Sequence, residues 1–328
     1  MKVDASILMG DRGEIHPIRS ENKSFLELNG LPLFFHVLQS LEASPKVSRI
    51  FIVGDQGRLK KTIDHHIRCL QSPEKIILLE QGRNLFENAM IAFEKALELE
   101  KKSIGIMDSP REEKAVLYLP GDIPLITSQE IDEFLGKCDL QRFDFFVGIS
   151  TDESLKPFYP TKSNKGIKMA YFYVKDKKFR HNNMYLAKPL KIRNLHYIQK
   201  MYDYRYQKEF VNFLRLLWTF SRANVQWRGF SYYLILHWNL FIARLGLEFL
   251  TPLFRQLISL EGIEKTTGSV LGCKLKIVET KLIGAAIDID NEKDYETISI
   301  MFSRWREYQK SLIHYPPVAS HIGGQTAL

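Results

Sequence analysis

Several groups of residues have types and spacings from which chemistry can be argued. Segment 117–127, Leu-Tyr-Leu-Pro-Gly-Asp-Ile-Pro-Leu-Ile-Thr, ends an apolar run in Gly121-Asp122. A carboxylate leaving a buried strand can hold a hard divalent cation, because Mg²⁺ takes one or two carboxylates and fills its other positions with water and substrate phosphates. The bland reading of Asp122 is a turn residue that satisfies nearby N–H groups. Asp288 and Asp290 offer it a partner: two residues apart in extended chain, they fall on one side, and Asp288 with Asp122 would make a metal site. Asp290, or Asn291 beside it, also suits the N-cap of a helix opening near Glu292.

A second group comes after the first apolar run, where Gly10, Asp11, Arg12 and Gly13 precede a polar stretch containing Lys23. Glycines at a strand end expose backbone N–H groups that can cradle phosphate; the alternative is an ordinary tight turn. Gly82, Arg83 and Asn84 stand where a helix begins and could touch base or phosphate, although Asn84 serves equally as a helix cap. In Phe-Arg-His-Asn-Asn-Met-Tyr-Leu-Ala-Lys-Pro, residues 179–189, Arg180 and Lys188 could meet an acceptor phosphate or belong to a solvated basic loop. The nine histidines form no ligand-spaced cluster. Neither a GxSxG elbow nor a GxxxxGK[ST] phosphate loop occurs.

The elements that must position these residues are legible as alternating strand and helix patterns. Apolar runs at 5–9, 49–53, 75–79, 115–119 and 143–149 alternate with amphipathic segments such as 31–41 and 85–99, which predicts βαβ units and a mostly parallel, doubly wound α/β sheet. Strands apolar on both sides predict helices on both faces. Ligands of such sheets bind outside the carboxyl ends of the strands, where Gly10-Asp11, Gly54-Asp55, Gln81-Gly82 and Gly121-Asp122 fall. Residues 1–195 are expected to form this core, 196–262 an aromatic, basic helical insertion, 263–310 its completion with the second acidic motif, and 311–328 a flexible tail.

At 328 residues the chain can bury a large core. Its formal charge of +8 and pI near 9.2 favour anionic partners; without a nucleic-acid motif, no nucleic acid is expected. Three separated cysteines suggest neither zinc nor disulfides, and a start without a signal-peptide pattern fits a cytoplasmic protein. Residues 229–254 are strongly apolar, but Arg244, Glu248 and Pro252 interrupt them and about fifteen residues precede the arginine, short of a span. They could pack together, covering a pocket or a homodimer interface, or rest peripherally on an anionic inner-membrane surface.

The opening segment resembles the nucleotidyltransferase superfamily that includes sugar-1-phosphate nucleotidylyltransferases and the guanylyl- and cytidylyltransferases of molybdenum cofactor assembly. Its pattern LxGGxGxR, a Lys, then hydrophobic-Gly-x-Pro-Leu is matched by Leu8, Gly10, Gly13, Lys23, Gly30, Pro32 and Leu33. Segment 119–124 is similar to the family's metal-binding strand end, and Asp288-Ile289-Asp290 to its late carboxylate. Together the matches cover roughly residues 1–195 and 265–308. Asp11 stands where the family has a second glycine, and Ile15 or His16 where it has its triphosphate-binding Arg; Arg12 and Arg19 are candidates to replace it.

The resemblance implies transfer of NMP from an NTP to a sugar phosphate, polyol phosphate or similar small molecule, with release of pyrophosphate. Asp122 and Asp288 would hold Mg²⁺, while Lys23 and the amides of residues 10–13 would stabilise the phosphoryl charge. Gly82, Asn84 and Gly121 would border the nucleotide, and Arg180 and Lys188 the acceptor. A metal-dependent glycosyltransferase of the same fold, and a non-catalytic nucleotide-binding or membrane-surface module, stay open alternatives.

Overall fold

A computed structural model describes residues 2–11, 18–19, 21–104, 111–162, 164–175, 177–198 and 259–314. Its frame is an eight-stranded sheet. The strands are β1 (Val3–Leu8), β4 (Val47–Gly54), β5 (Ile76–Glu80), β6 (Val116–Pro120), β7 (Phe145–Thr151), β8 (Phe172–Val174), β9 (Lys177–Ala187) and β10 (Leu275–Glu279). A small antiparallel ladder, β2 (Glu27–Leu28) with β3 (Leu31–Pro32), stands apart from it. The order is β10-β7-β9-β6-β1-β4-β5, with β8 paired to β9.

β1, β4, β5 and β6 are parallel, as are β7 and β10, and β9 runs antiparallel between β6 and β7. The chain moves outward from β1 through β4 to β5, then returns to the opposite side of β1 to form β6. The crevice between the ends of β1 and β6 is therefore the switch point where doubly wound sheets bind ligands.

Apolar side chains on both faces of the sheet dictate the layers. On one side α1 (Leu33–Ala43) and α4 (Ser128–Lys137) cover Ile7, Ile52, Leu117 and Phe146; on the other, α3 (Leu85–Ile104) places Ala92, Phe93 and Ala96 against Phe51, Val53 and Val116. Phe34, Phe35, Phe93 and Phe134 are among the largest fully buried side chains, each worth on the order of 2 kcal/mol of apolar burial. Caps are local: Asp55 accepts the Arg58 N–H at the start of α2 (Gln56–His65), and Thr127 accepts that of Glu130 at the start of α4. After a short helix α5 (Asp152–Leu155), the later helices are α6 (Leu260–Leu271), ended by Gly272 at φ 67°, and α7 (Glu292–His314).

Two expectations are revised. Lys177–Ala187 is a long strand inside the sheet, where a solvated basic loop was one reading. α7 continues to His314, past the expected start of the tail at 311. Residues 229–254, within the expected insertion, lie outside the described residues. Among the described residues no helix is long and apolar enough to cross a membrane.

Candidate active site at the carboxyl edge

Lys23 is placed by its neighbours on both sides. Asn22 accepts the Ser24 N–H with its Oδ1 and donates Nδ2 to the Met9 carbonyl at the end of β1, which folds Lys23–Phe25 into a 3₁₀ turn over the switch point. The turn sits directly on Gly121: a Cβ there would fall 2.8 Å from Ser24 Oγ and 3.0 Å from Met9 Cγ. That close approach requires glycine between β6 and Asp122.

From this turn the Lys23 ammonium reaches three acceptors. Its Nζ lies 2.5 Å from Asp122 Oδ2, donates to the Ile289 carbonyl at 2.7 Å, and stands 3.4 Å from Asp290 Oδ1. Burial works against its charge, but Asp122, Asp290 and Asp288 outweigh that and hold its pKa well above the lysine range. It is a permanent cation.

The segment bearing Asp288 is fixed from three directions. Ile289 donates its N–H to the Asp122 carbonyl at 3.1 Å, tying the two acidic motifs by backbone. Ile287 and Ile289 are buried in the core while Asp288, half-buried, and Asp290, exposed, lie on the other side, so the expected two-residue alternation holds without a strand partner. Beneath, the buried Glu130 carboxylate accepts the Ala285 N–H, and Glu133 accepts those of Lys281 and Leu282. Asn291 caps α7 by accepting the Asp294 N–H, which leaves Asp290 to face Lys23.

β9 supplies the third support. A bulge shifts its register against β7 between Val147 and Ile149, and Asn183 within it adopts φ 58°. Bulges re-aim side chains near functional sites. Here Asn183 donates to the Ala285 carbonyl at 3.0 Å, and Arg180 donates Nε to the Ala286 carbonyl at 2.8 Å and Nη2 to Asp288 Oδ1 at 2.5 Å. Burial pushes the Asp288 carboxyl up, against the pull of Arg180, and the charges of Asp290 and Asp122 push it further.

Asp122, Asp288, Asp290, Lys23 and Arg180 are thus brought together at one edge. Lys188 is not. β9 runs away from that edge, and Lys188 lies just past its far end, buried, donating to Glu113 and to the Leu140 carbonyl. It neutralises Glu113 at the amino ends of the strands. The expected acceptor contact has no geometry to support it.

The residues expected to border a nucleotide are engaged in local bonds. Gln81, buried at the end of β5, accepts the Asp11 N–H at 2.7 Å and donates to Asp11 Oδ1 at 2.5 Å. Gly82 donates its N–H to Asn88 Oδ1, and Asn84 accepts the Glu87 N–H as a helix cap. Asn88 also lies against Gly10, where a Cβ would collide with its Nδ2. Arg12 and Gly13 lie outside the described residues. Arg19 is paired with Glu292 at the surface and stacked on Tyr295. Sequence reasoning placed Gln81 at a strand end without a role and missed Asn22 and Asn88, because polar residues that become clamps look like any other loop or helix residue.

Asp122 Oδ1 is buried without a hydrogen-bond partner among the described residues. An orphaned carboxylate oxygen in this position suits a hard cation completed by substrate phosphates. No group of three or more His, Cys, Asp or Glu able to hold a metal occurs among the described residues, so a metal here would depend on ligands from the substrate.

The fold and this acidic, lysine-bridged edge define a doubly wound α/β protein whose ligand site lies at the switch point. It shares its fold with a hypothetical transferase from Thermus thermophilus, at TM-score 0.58 and 20% identity over 90% of this chain and 99% of the other. Looser likenesses extend to 4-diphosphocytidyl-2C-methyl-D-erythritol synthase from Anaerococcus prevotii (TM-score 0.46, 10% identity, 92% of this chain and 99% of that one). A CMP:2-keto-3-deoxy-manno-octonic acid synthetase complexed with CTP stands at 0.43 (12% identity, 93% and 99%). At those scores neither carries weight about this chain. No family model matches the chain, and no curated protein does.

Proposed function

We propose that the chain is a nucleotidyltransferase that joins NMP from an NTP to a phosphorylated small molecule and releases pyrophosphate. The observation that carries this reading is Lys23: a permanent ammonium held between Asp122, Asp290 and the Ile289 carbonyl, beside a buried Asp122 oxygen with no partner of its own among the described residues. Such a site sets one fixed ammonium beside a metal-ready carboxylate where a sheet of this kind binds its ligand.

Asp122 Oδ1 and the Asp288 carboxylate would hold Mg²⁺, which when bound neutralises the charge on the phosphoryl oxygens. Lys23 binds the polyphosphate and stabilises negative charge as pyrophosphate departs. Because its pKa lies far above neutrality it supplies charge and no proton. Arg180, engaged with Asp288 and Ala286, orients the acidic segment; it is a positioning residue. An acceptor phosphate is already anionic, so alignment and charge neutralisation suffice and no general base is required.

The test is pyrophosphate release with Mg²⁺ and each of the four NTPs against sugar and polyol phosphates, comparing wild type with Asp122→Asn. Acceptor-dependent release that falls at least about a hundredfold in the variant is expected, the scale of losing one preorganised charge contact. Unchanged release in the variant would refute the site, and release of a nucleoside diphosphate from a nucleotide sugar would move the chain to glycosyl transfer.

A further inference from the structure

Between residues 156 and 178 the chain carries seven lysines (156, 162, 165, 168, 175, 177 and 178) against one acid, Asp176, a large part of its formal excess of +8. All seven are exposed, and among the described residues none is in an ion pair. Elsewhere lysines are routinely paired, as Lys60 with Asp64, Lys114 with Asp4 and Lys137 with Glu133. Among the described residues an unpaired run of this density is the exception.

The topology puts the run on a single rim. The loop carrying Lys162, Lys165 and Lys168 is folded back by the Ile167 N–H to the Phe158 carbonyl and by a hydrogen bond between the Tyr159 and Tyr171 hydroxyls. It joins the β8–β9 hairpin, whose Lys175, Lys177 and Lys178 lie at the carboxyl edge because β9 begins there, with Phe179 opposite Thr151. Lys178 shares a strand face with Arg180 two residues on, so the rim adjoins the acidic site. Protection of the free edge of β8 accounts for hairpin lysines, but not for those of the loop.

We infer that this lysine rim docks the protein reversibly on an anionic lipid bilayer, with the carboxyl edge turned toward the headgroups. The composition favours that partner. Lysine is a hydrated point charge suited to a diffuse anionic surface, whereas bidentate recognition of nucleic-acid phosphates selects arginine. Half-buried Tyr171 and Tyr173, the latter with its ring 5.6 Å from the Lys178 ammonium, have the amphipathic character of interfacial aromatics. The inference concerns binding alone and stands whether or not the site transfers nucleotides.

The test is flotation of the full chain with phosphatidylcholine vesicles, with and without phosphatidylglycerol, at low and high salt. One variant replaces Lys165, Lys175, Lys177 and Lys178 by Gln; a control replaces Lys60, Lys61, Lys95 and Lys101 and so changes net charge equally. Circular dichroism confirms that both stay folded. Salt-sensitive binding to the anionic vesicles is expected, falling at least about a hundredfold in the rim variant, since each lysine near such a surface contributes roughly fivefold, and little in the control. Equal losses in both variants, no binding to phosphatidylglycerol vesicles, or binding to single-stranded RNA without binding to vesicles would each overturn the assignment.

Discussion

Replacing Glu130 by Gln removes an ionisable group from the wall beneath the Asp288 segment while keeping its shape. Glu130 has no exposed surface, accepts the Ala285 N–H and is paired with no cation among the described residues. Burial pushes its carboxyl from an ordinary value of 4.5 up to about 8, with Glu133 adding to the rise against the pull of the Ala285, Gly284 and Thr127 backbones. Below 4.5 folded and unfolded chains both hold the proton and the group costs nothing. Between 4.5 and about 8 the unfolded chain releases the proton while the folded chain keeps it, so stability drains at about 1.4 kcal/mol per pH unit. At pH 7 the accumulated cost is on the order of 3 kcal/mol, and above about 8 it stops growing. Glutamine mimics the neutral carboxyl and escapes this cost. Urea unfolding of both proteins from pH 5 to 9, monitored by tryptophan fluorescence, should show the variant gaining on wild type up to about pH 8 and then running parallel. A pH-independent difference would show that Glu130 ionises normally in the folded chain.

Two further outcomes are expected from the packing. Lys188→Met should lower stability by about 1–3 kcal/mol through loss of its buried hydrogen bonds, yet leave the KM for any acceptor unchanged; a raised KM at unchanged Tm would return Lys188 to the site. Gly121→Ala should cost about 1–3 kcal/mol by forcing the Lys23 turn off β6, and an unaltered Tm would contradict the 2.8 Å approach to Ser24.

How much the sequence disclosed depended on burial. The IFIVG stretch of β4 and the VLYLP of β6 are apolar on both sides and read plainly as central strands, which also marked out the residues at their carboxyl ends, Asp122 among them. The alternation of Asp288 and Asp290 with two isoleucines was readable for the same reason. β9 was not, although it lies between two central strands. Its first half, Lys-Lys-Phe-Arg-His-Asn-Asn, runs beyond β6, pairs with the short β8 and the end of β7, and contains the bulge, so neither periodicity nor apolarity marks it. The misplacement of Lys188 has the same origin: as a loop, residues 179–189 would gather Arg180 and Lys188 in one place, whereas a strand of 11 residues separates them by the height of the sheet. Gln81 and Asn88 were hidden for another reason, since the clamp they form on Asp11 and Gly82 exists only once β5 and α3 are assembled.

The orientation of α6 has a consequence for anyone wishing to shorten this protein. α6 begins at Leu260 against Phe179 and Ile149, near the carboxyl edge, and ends at Leu271, whose carbonyl accepts the Asn194 N–H near the opposite edge. The chain therefore leaves the described core at Ile198 beside one end of this 12-residue helix and rejoins it at Ser259 beside the other, about 18 Å away at a rise of 1.5 Å per residue. Any linker engineered between those two points must cover the height of the sheet, which a tight turn cannot do. It needs at least about six extended residues to close the gap without pulling α6 from its seat.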